Sequence, residues 1–392
     1  MSRVAVCFGG PSPEHDISIL TGLQAAHALE RLGDDPIALY WSPAGAWHSV
    51  PATSQGRDFA DGLPSGSQEV ALRTGPGGGF VQVGRRSRST PLDVSVVVNC
   101  CHGAPGEDGT LQALFDLAGL RYTGPDHAGA ALAMDKLAFT GAVAAAGLPT
   151  LGLWPVADGL SAGGTAAALA DGPLIVKPRF GGSSIGIDIV EDLATAKALA
   201  ATSPSLAGGA VVQPYLADAI DLNLSLLAWP TLRLSAVERP ERGADGGAGS
   251  AAGAIYSYAD KYLLSGDDDG TGDSAGLAGA ARELPADVPE PIAAAIAEAA
   301  VAVAELAAVR SVSRLDFLWD GTDDPAGLLV NELNTIPGSL AWYFWSEQGM
   351  SFAELLTNLV DEAQASPPRR FVTEGADGTA LRSVRDIASK LA

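Results

Sequence analysis

Residues 311–338, SVSRLDFLWDGTDDPAGLLVNELNTIPG, restrict the fold more than any other stretch. The run reads as two short strands joined by a polar turn. Leu315, Phe317 and Trp319 alternate with Arg314, Asp316 and Leu318, and then Leu328, Leu329 and Val330 lead into Glu332, Leu333 and Asn334. Side chains two apart on a strand share a face. Glu332 and Asn334 therefore point one way, and Asp316 on the partner strand can join them. Two carboxylates and an amide beside apolar positions are costly to bury unless a cation is present. Hard oxygen ligands of this kind suit Mg²⁺, which completes its shell with water and substrate phosphates. A solvated hairpin edge is the plain alternative for Glu-x-Asn alone, and the other motifs weigh against it.

A chain of 392 residues carries a prior of two to three domains. With 47% hydrophobic and 18% charged residues it can bury sizeable cores. A net charge of −22 argues against nucleic acid or an acidic membrane as partner, because both need clustered Lys and Arg. Cys7, Cys100 and Cys101 have apolar, strand-like neighbours and no metal spacing, which predicts buried thiols in a reducing cytosol. The N-terminus reads as a first strand rather than a signal peptide, and no apolar run reaches the ~20 residues of a membrane span. The expected location is cytoplasmic.

Along the chain, residues 3–8 form a strand that ends in Gly9-Gly10-Pro11, and a helix follows over 17–32. Its inward stripe is Leu20, Leu23, Ala26 and Leu29, with Gly33 as the stop. This is the first βα unit of a parallel sheet, and Glu14 and His15 lie in its turn. Ligands of such sheets bind at the carboxyl ends of strands, so the turn is a candidate substrate loop. Residues 37–41 make a second strand. Residues 53–91, rich in Gly, Ser and Arg, read as a long decorated connection. VSVVVN at 94–99 is a strand buried on both faces. It runs into His102, then Gly106-Glu107-Asp108-Gly109, then a helix with Leu111, Leu114, Phe115 and Ala118 inward.

Residues 128–147 are alanine-rich and predict one helical stretch carrying Met134-Asp135-Lys136. LIVK at 174–177 is a strand that enters PRFGGSSIG, whose Gly181-Gly182-Ser183-Ser184 can present backbone N–H groups to a phosphate. With Lys136 and Lys177 nearby this favours a nucleotide, although it is not a Walker pattern. Residues 211–216 are a strand, and 222–228 with 232–237 a hairpin. The aromatic island IYSYADKYL at 255–263 lies between two Gly/Ala/Asp-rich stretches, as in a lid that excludes water. Asp287 is the expected cap of a helix with Pro289 and Pro291 in its first turn, and Ser351 with Glu354 forms a capping box for the last helix. The tail from Pro367 looks loosely held.

Four motifs in order, FGGPSPEHDIS, CHGAPGEDGTLQ with YTG and AMDK, VKPRFGGSSIG, and SRLDF with NELNTIPG, resemble the D-alanine–D-alanine ligase family of ATP-grasp enzymes. The resemblance implies an α/β fold, α+β in its C-terminal part. Its expected parts are a Rossmann-like parallel-sheet domain at 1–126, a central ATP-grasp subdomain at 127–215, a C-terminal subdomain at 216–366 with a lid at 239–283, and a tail at 367–392. It also implies peptide-bond formation in two steps: ATP phosphorylates one carboxylate, and a second amino acid or peptide attacks the acyl phosphate. Carried over by motif, Asp316, Glu332 and Asn334 would hold Mg²⁺, with Mn²⁺ as a substitute. Lys136, Lys177, Ser183 and Ser184 would hold phosphates, Gln213 and Leu216 the base, and Asp221 the ribose. Arg314 would stabilise the oxyanion. Glu14 and His102 would hold the first substrate, and Lys261 and Tyr262 would be lid residues. Relatives are often homodimers.

The departures bear on the acceptor. Relatives carry Met-Thr and then a serine after Pro-Gly. Here the chain reads Ser339-Leu340-Ala341-Trp342-Tyr343-Phe344-Trp345, with Tyr343 about where that serine would lie and Ser339 offering another hydroxyl. A pocket lined from this run favours a bulkier acceptor than D-alanine. Pro214 and Gly181 replace a lysine and an acid common in relatives. A non-catalytic nucleotide-binding module and a hydroxy-acid substrate remain the alternatives.

Overall fold

The computed structural model describes residues 3–84, 88–156, 169, 172–241, 282–369, 371–383 and 386. The expected aromatic island, with Lys261 and Tyr262, lies outside them.

β1 (Arg3–Gly9), β2 (Ile37–Trp41) and β7 (Val94–Asn99) form the parallel part of a seven-stranded sheet of order β6-β5-β4-β3-β2-β1-β7. The rest is antiparallel: β3 (Trp47–Val50), β4 (Gln68–Arg73), β5 (Gly79–Val83) and β6 (Ser89–Pro91). The expected parallel sheet is present in β1, β2 and β7, and the decorated connection extends it with antiparallel strands into a mixed one. These strands bury only a few residues, such as Val70, Phe80 and Val81, and leave polar neighbours in solvent, so their periodicity is faint. α1 (His15–Arg31) starts two residues before the expected helix. Ile19, rather than Leu20, joins Leu23, Ala26 and Leu29 in the core, and Leu20 is 55% exposed. After β7, α2 (Thr110–Ala118) buries Leu111 and Phe115 while Leu114 is half-buried. The three cysteines are buried free thiols.

The alanine-rich stretch is two helices, α3 (His127–Met134) and α4 (Lys136–Ala145), broken at Asp135. Asp135 is extended, and its carboxylate accepts the Leu137 and Ala138 N–H groups. The Arg179 guanidinium grips the same carboxylate, with Nε 2.7 Å from Oδ1. A capped helix start held by a distant arginine overrides helix propensity here. Four strands, β8 (Trp154–Pro155), β9 (Leu174–Pro178), β10 (Asp188–Val190) and β11 (Ala210–Pro214), form a sheet of order β10-β9-β11-β8, packed by α5 (Leu193–Thr202).

The last sheet has the order β14-β13-β12-β15-β16, from β12 (Ile220–Leu227), β13 (Arg233–Pro240), β14 (Arg282–Glu283), β15 (Val312–Trp319) and β16 (Leu328–Asn334). Leu222, Leu224, Leu226, Leu315 and Phe317 pack in one core with Ile292, Ile296 and Val303 of α6 (Glu290–Leu306). The cap of α6 is Pro289, not Asp287. Val288 precedes a proline and is steered towards extended backbone, so the helix cannot start earlier. The Asp287 N–H instead donates to Glu283 Oε1 at 2.9 Å.

Downstream of β16, Ser339, Leu340 and Ala341 all adopt left-handed backbone, with φ of 49°, 51° and 51°. This turn starts α7 (Trp342–Ser346), and the capping box of Ser351 and Glu354 opens α8 (Phe352–Ala365) as expected. In the tail, Arg369 Nη1 lies 2.7 Å from His127 Nδ1. Among the described residues, no helix is long and apolar enough to cross a membrane.

Candidate active site

Period-two alternation on β12 and β15 sends leucines to α6 and polar side chains to the opposite face. On β16 simple alternation would fail. Leu328 and Val330 are core residues, so Glu332 two places on would also face the core. A bulge prevents this: Asp316 pairs with Glu332 while Phe317 pairs with Val330, leaving Asn331 as the extra residue. The phase flips, and Glu332 and Asn334 join Asp316 and Arg314 on the open face. A register-aligned polar row then crosses four strands, from Glu238 to Asn223, Asp316 and Glu332.

The row lies on a cleft between the two smaller sheets, lined by Lys177, Ser184, Gln213, Leu216, Asp221, Arg314, Asp316, Glu332 and Tyr343, among others. Pro214 lies on the same wall beside Gln213, and it has no backbone N–H to donate there. A second pocket, of about 40 Å³, is lined by Glu14, His102, Glu107, Lys136, residues 181–183, Arg314, Glu332, Asn334 and the turn that follows. Arg314 and Glu332 stand on both walls.

Charges are closely matched. Arg314 holds Asp316 by two bonds, Nε to Oδ1 at 2.6 Å and Nη2 to Oδ2 at 2.7 Å. Burial opposes the Arg314 charge, and Asp316 more than offsets it, so the guanidinium stays charged. The Asn334 amide donates to Asp316 Oδ2 at 3.0 Å. Lys136 Nζ lies 3.1 Å from Glu332 Oε2 and 2.7 Å from the Gly181 carbonyl, so it ties the glycine loop to the acidic row. Burial lowers the Lys177 pKa to about 8, the Lys136 charge adds to this and Glu332 opposes it. Such an ammonium gains most when a phosphate arrives.

In the glycine loop, Ser183 and Ser184 are left-handed, at φ 51° and 58°. The Ser183 hydroxyl donates to the Glu14 carboxylate, which joins the loop to the turn before α1. His102 Nδ1 lies 2.6 Å from the Ile336 carbonyl and Nε2 lies 2.9 Å from Thr21 Oγ1. The carbonyl can only accept, so Nδ1 carries the proton and Nε2 accepts from the hydroxyl. Burial lowers the His102 pKa, against the pull of Glu14, and the ring is neutral.

Three expected substrate contacts divide. Tyr343 reaches the cleft. Ser339 and Leu340 line neither cavity: the Ser339 N–H donates to Thr21 Oγ1 at 3.2 Å, and Leu340 is buried in the core. The aromatic run does not line a pocket as a whole either. Phe344 and Trp345 are fully buried, Trp345 Nε1 donates to Ser225 Oγ at 3.0 Å, and Trp342 Nε1 donates to the Met350 carbonyl. A short helix can aim one residue in four at the cleft, and here the core takes the others.

Residues that motif reading passed over are Asn223, Glu238, Arg282 and Glu107. Asn223 alternates with leucines as Asp221 does, which was a usable signal. Glu107 sits between turn glycines and accepts from the N–H of Gly103, the N–H and hydroxyl of Thr335, and the N–H of Ile336. It fastens the β16 exit to the loop after β7.

A divalent cation fits the donor chemistry: two carboxylates in register and an adjacent amide, all hard oxygen donors, beside Lys136 and Lys177. Among the described residues, no group of three His, Cys, Asp or Glu has metal-binding geometry.

Family comparisons agree with this geometry. The family model for the D-ala D-ala ligase N-terminus matches residues 3–125, and that for the D-ala D-ala ligase C-terminus matches 165–361. The D-alanine–D-alanine ligase of Methylobacterium sp. (strain 4-46) is 32% identical over 397 residues, covering 98% of this chain and 97% of the relative. That of Mycobacterium tuberculosis (strain CDC 1551 / Oshkosh) is 31% identical, covering 93% and 95%. Among solved structures, the VanG D-Ala:D-Ser ligase from Enterococcus faecalis is 25% identical with a TM-score of 0.68, covering 92% of this chain and 99% of the other. D-alanyl-alanine synthetase A from Vibrio cholerae, at 21% identity and TM-score 0.72, covers 93% and 100% and shares the fold. The chain belongs to the D-alanine–D-alanine ligase family and is an ATP-dependent, peptide-bond-forming ligase with the ATP-grasp fold.

Proposed function

We propose that the chain phosphorylates the carboxylate of a small D-amino acid, D-alanine by the example of its named relatives, and joins it to a second amino acid. The observation that carries this reading is Arg314, which faces the nucleotide cleft and the small pocket at once. A guanidinium at that junction can stabilise the negative oxygen that develops when an amine attacks an acyl phosphate. The pocket is small, about 40 Å³, which favours a small donor over a bulky one. In it, Glu14 takes the donor ammonium and neutral His102 lies against its carboxylate end.

ATP lies between the subdomains at 127–215 and 216–366, with Gln213 and Leu216 at the base and Asp221 at the ribose. Lys136, Lys177, Ser183 and Ser184 hold the phosphates. Asp316, Glu332 and Asn334 would hold Mg²⁺, which supplies Lewis-acid charge to the phosphates when bound. Lys261 and Tyr262, outside the described residues, complete the lid.

Tyr343 favours a second reading, an acceptor other than D-alanine with the same chemistry. A panel of D- and L-amino acids with ATP and Mg²⁺, scored by phosphate release and product mass, decides between them. Ordinary turnover with D-alanine as both substrates rules out the altered acceptor. Asp316→Asn and Glu332→Gln should each cut ADP release at least ~100-fold with the fold intact, and unchanged turnover in either overturns the metal assignment.

A further inference from the structure

The break between α3 and α4 is also a polar joint between the two smaller sheets. Both helices belong to the last sheet, where Ala133, Phe139 and Val143 share a core with Leu328, Val330 and Leu333. The four-stranded sheet has a separate core around Leu174, Val176, Val190 and Val212. At the joint, Asp135 forms an antiparallel bridge with Phe180, and the Lys136 N–H donates to the Arg179 carbonyl at 3.2 Å. The Arg179 guanidinium meets the Asp135 carboxylate edge to edge, Nε to Oδ1 at 2.7 Å and Nη2 to Oδ2. The centre of the Phe180 ring lies 5.0 Å from the Arg179 Cζ. The Asp135 side chain is 14% exposed and that of Arg179 37%. Burial opposes the Asp135 charge, but the Arg179 guanidinium and the capped N–H groups outweigh it and lower the pKa.

We propose that Arg179 is a positioning residue for nucleotide binding: by holding Asp135 it fixes the Lys136 ammonium between the glycine loop and the acidic row. The inference rests on the reading above, in which Lys136 holds phosphate. A lysine ammonium sits on a flexible four-carbon stem, and ordering that stem costs free energy. It stays in one place only if its Cα and its acceptors are fixed relative to each other. Those acceptors lie on two separate bodies, the Gly181 carbonyl at 2.7 Å on the loop and Glu332 Oε2 at 3.1 Å on β16. Lys136 is the first residue of α4, and the Asp135 carboxylate fixes that start by accepting the Leu137 and Ala138 N–H groups. The same carboxylate, gripped by Arg179, ties the helix start to the exit of β9. The Arg179 N–H donates to the Gly209 carbonyl at 2.9 Å, just before β11, so the clamp bears on a sheet and not on a free loop. Gly181 follows two residues later, which keeps its carbonyl within reach of Lys136. Two parallel N–H···O bonds fix an angle as well as a distance, which a point charge does not. Arg179 and Asp135 line neither cavity, so the pair acts through Lys136 and not on the nucleotide itself.

The test is nucleotide affinity, measured by calorimetry on the full-length protein with Mg²⁺. The probes are the β,γ-imido analogue of ATP and, in displacement titrations, adenosine, which has no phosphate. Arg179→Gln should weaken the analogue about 5–10-fold, between the values for exposed and for buried charged pairs. Adenosine should bind as before. Asp135→Asn keeps a capping oxygen but loses the charge, and it should weaken the analogue in the same sense. Lys136→Met should weaken it too, and adding Arg179→Gln to that variant should cost nothing more, because the effect runs through the ammonium. An unchanged affinity in Arg179→Gln overturns the proposal. Equal losses for the analogue and for adenosine also overturn it, since they mean a general loosening of the cleft. Additive losses in the double variant overturn it by taking Lys136 out of the path. A parent protein that does not bind the analogue overturns the nucleotide reading and this proposal together. A parent that binds it without amino-acid-dependent ADP release overturns the ligase reading alone, and the role of Arg179 then stands on the affinities.

Discussion

Removing the charge of Glu107 should change how stability depends on pH. This carboxyl is buried beside Glu14 and His102, with four donors aimed at it. Burial raises its pKa from 4.5 to about 7, and Glu14 adds to this, against the hydrogen bonds from Ile336, Gly103 and Thr335. A group whose folded pKa is raised favours the folded state fully below its unfolded pKa. That contribution is lost as pH rises through the folded pKa. Between pH 4.5 and about 7 the folded chain keeps the proton that the unfolded chain has released, so stability falls as pH rises. At 1.36 kcal/mol per unit the displacement amounts to about 3 kcal/mol. Glu107→Gln cannot titrate and lacks this loss. Denaturant unfolding of both proteins at pH 4.5 and pH 8 measures it. The glutamine variant should gain about 3 kcal/mol on the parent between the two conditions. A stability difference that stays constant with pH refutes the reasoning, because it means the four donors keep Glu107 ionised.

Lys177, lowered to about 8, should be mostly charged at pH 7 and mostly neutral at pH 9 in the free protein. ADP affinity measured by calorimetry should therefore weaken about tenfold over that range, whereas Lys177→Met should bind weakly and independently of pH. A parallel decline in the variant rules Lys177 out as the titrating group. Trp345→Ala should cost about 3–5 kcal/mol in unfolding free energy, because a fully buried indole and its bond to Ser225 are lost. At a temperature where the variant is folded, its acceptor KM should be that of the parent. A selective rise in that KM would put Trp345 at the substrate instead of in the core.

Much of the site was legible because its chemistry is carried by short contiguous motifs. Residue order alone juxtaposes Glu332 with Asn334, Ser183 with Ser184, and Lys177 with the loop it precedes, because neighbours on a strand or turn stay neighbours in space. The same holds for β1, β2 and β7 and for the capping box of α8, where local pattern and tertiary demand agree. Local pattern misled wherever a distant partner outvoted it. The helix of residues 128–147 breaks because Arg179 holds Asp135, and the aromatic run goes inward because the core has room for Phe344 and Trp345.

The amino-acid order by itself determined the family, through four motifs that hold acidic oxygens, lysines, a glycine turn and an arginine. Only the tertiary structure decided which of these share a face. A single extra residue, Asn331, turns Glu332 out of the core. Strand pairing adds Asn223 and Glu238 to its row, and the row delivers Arg282 to Tyr343 from 61 positions away in the chain. Contacts of that kind depend on register and chain return. No window of sequence encodes them, because their free energy arises only when separate strands have already met.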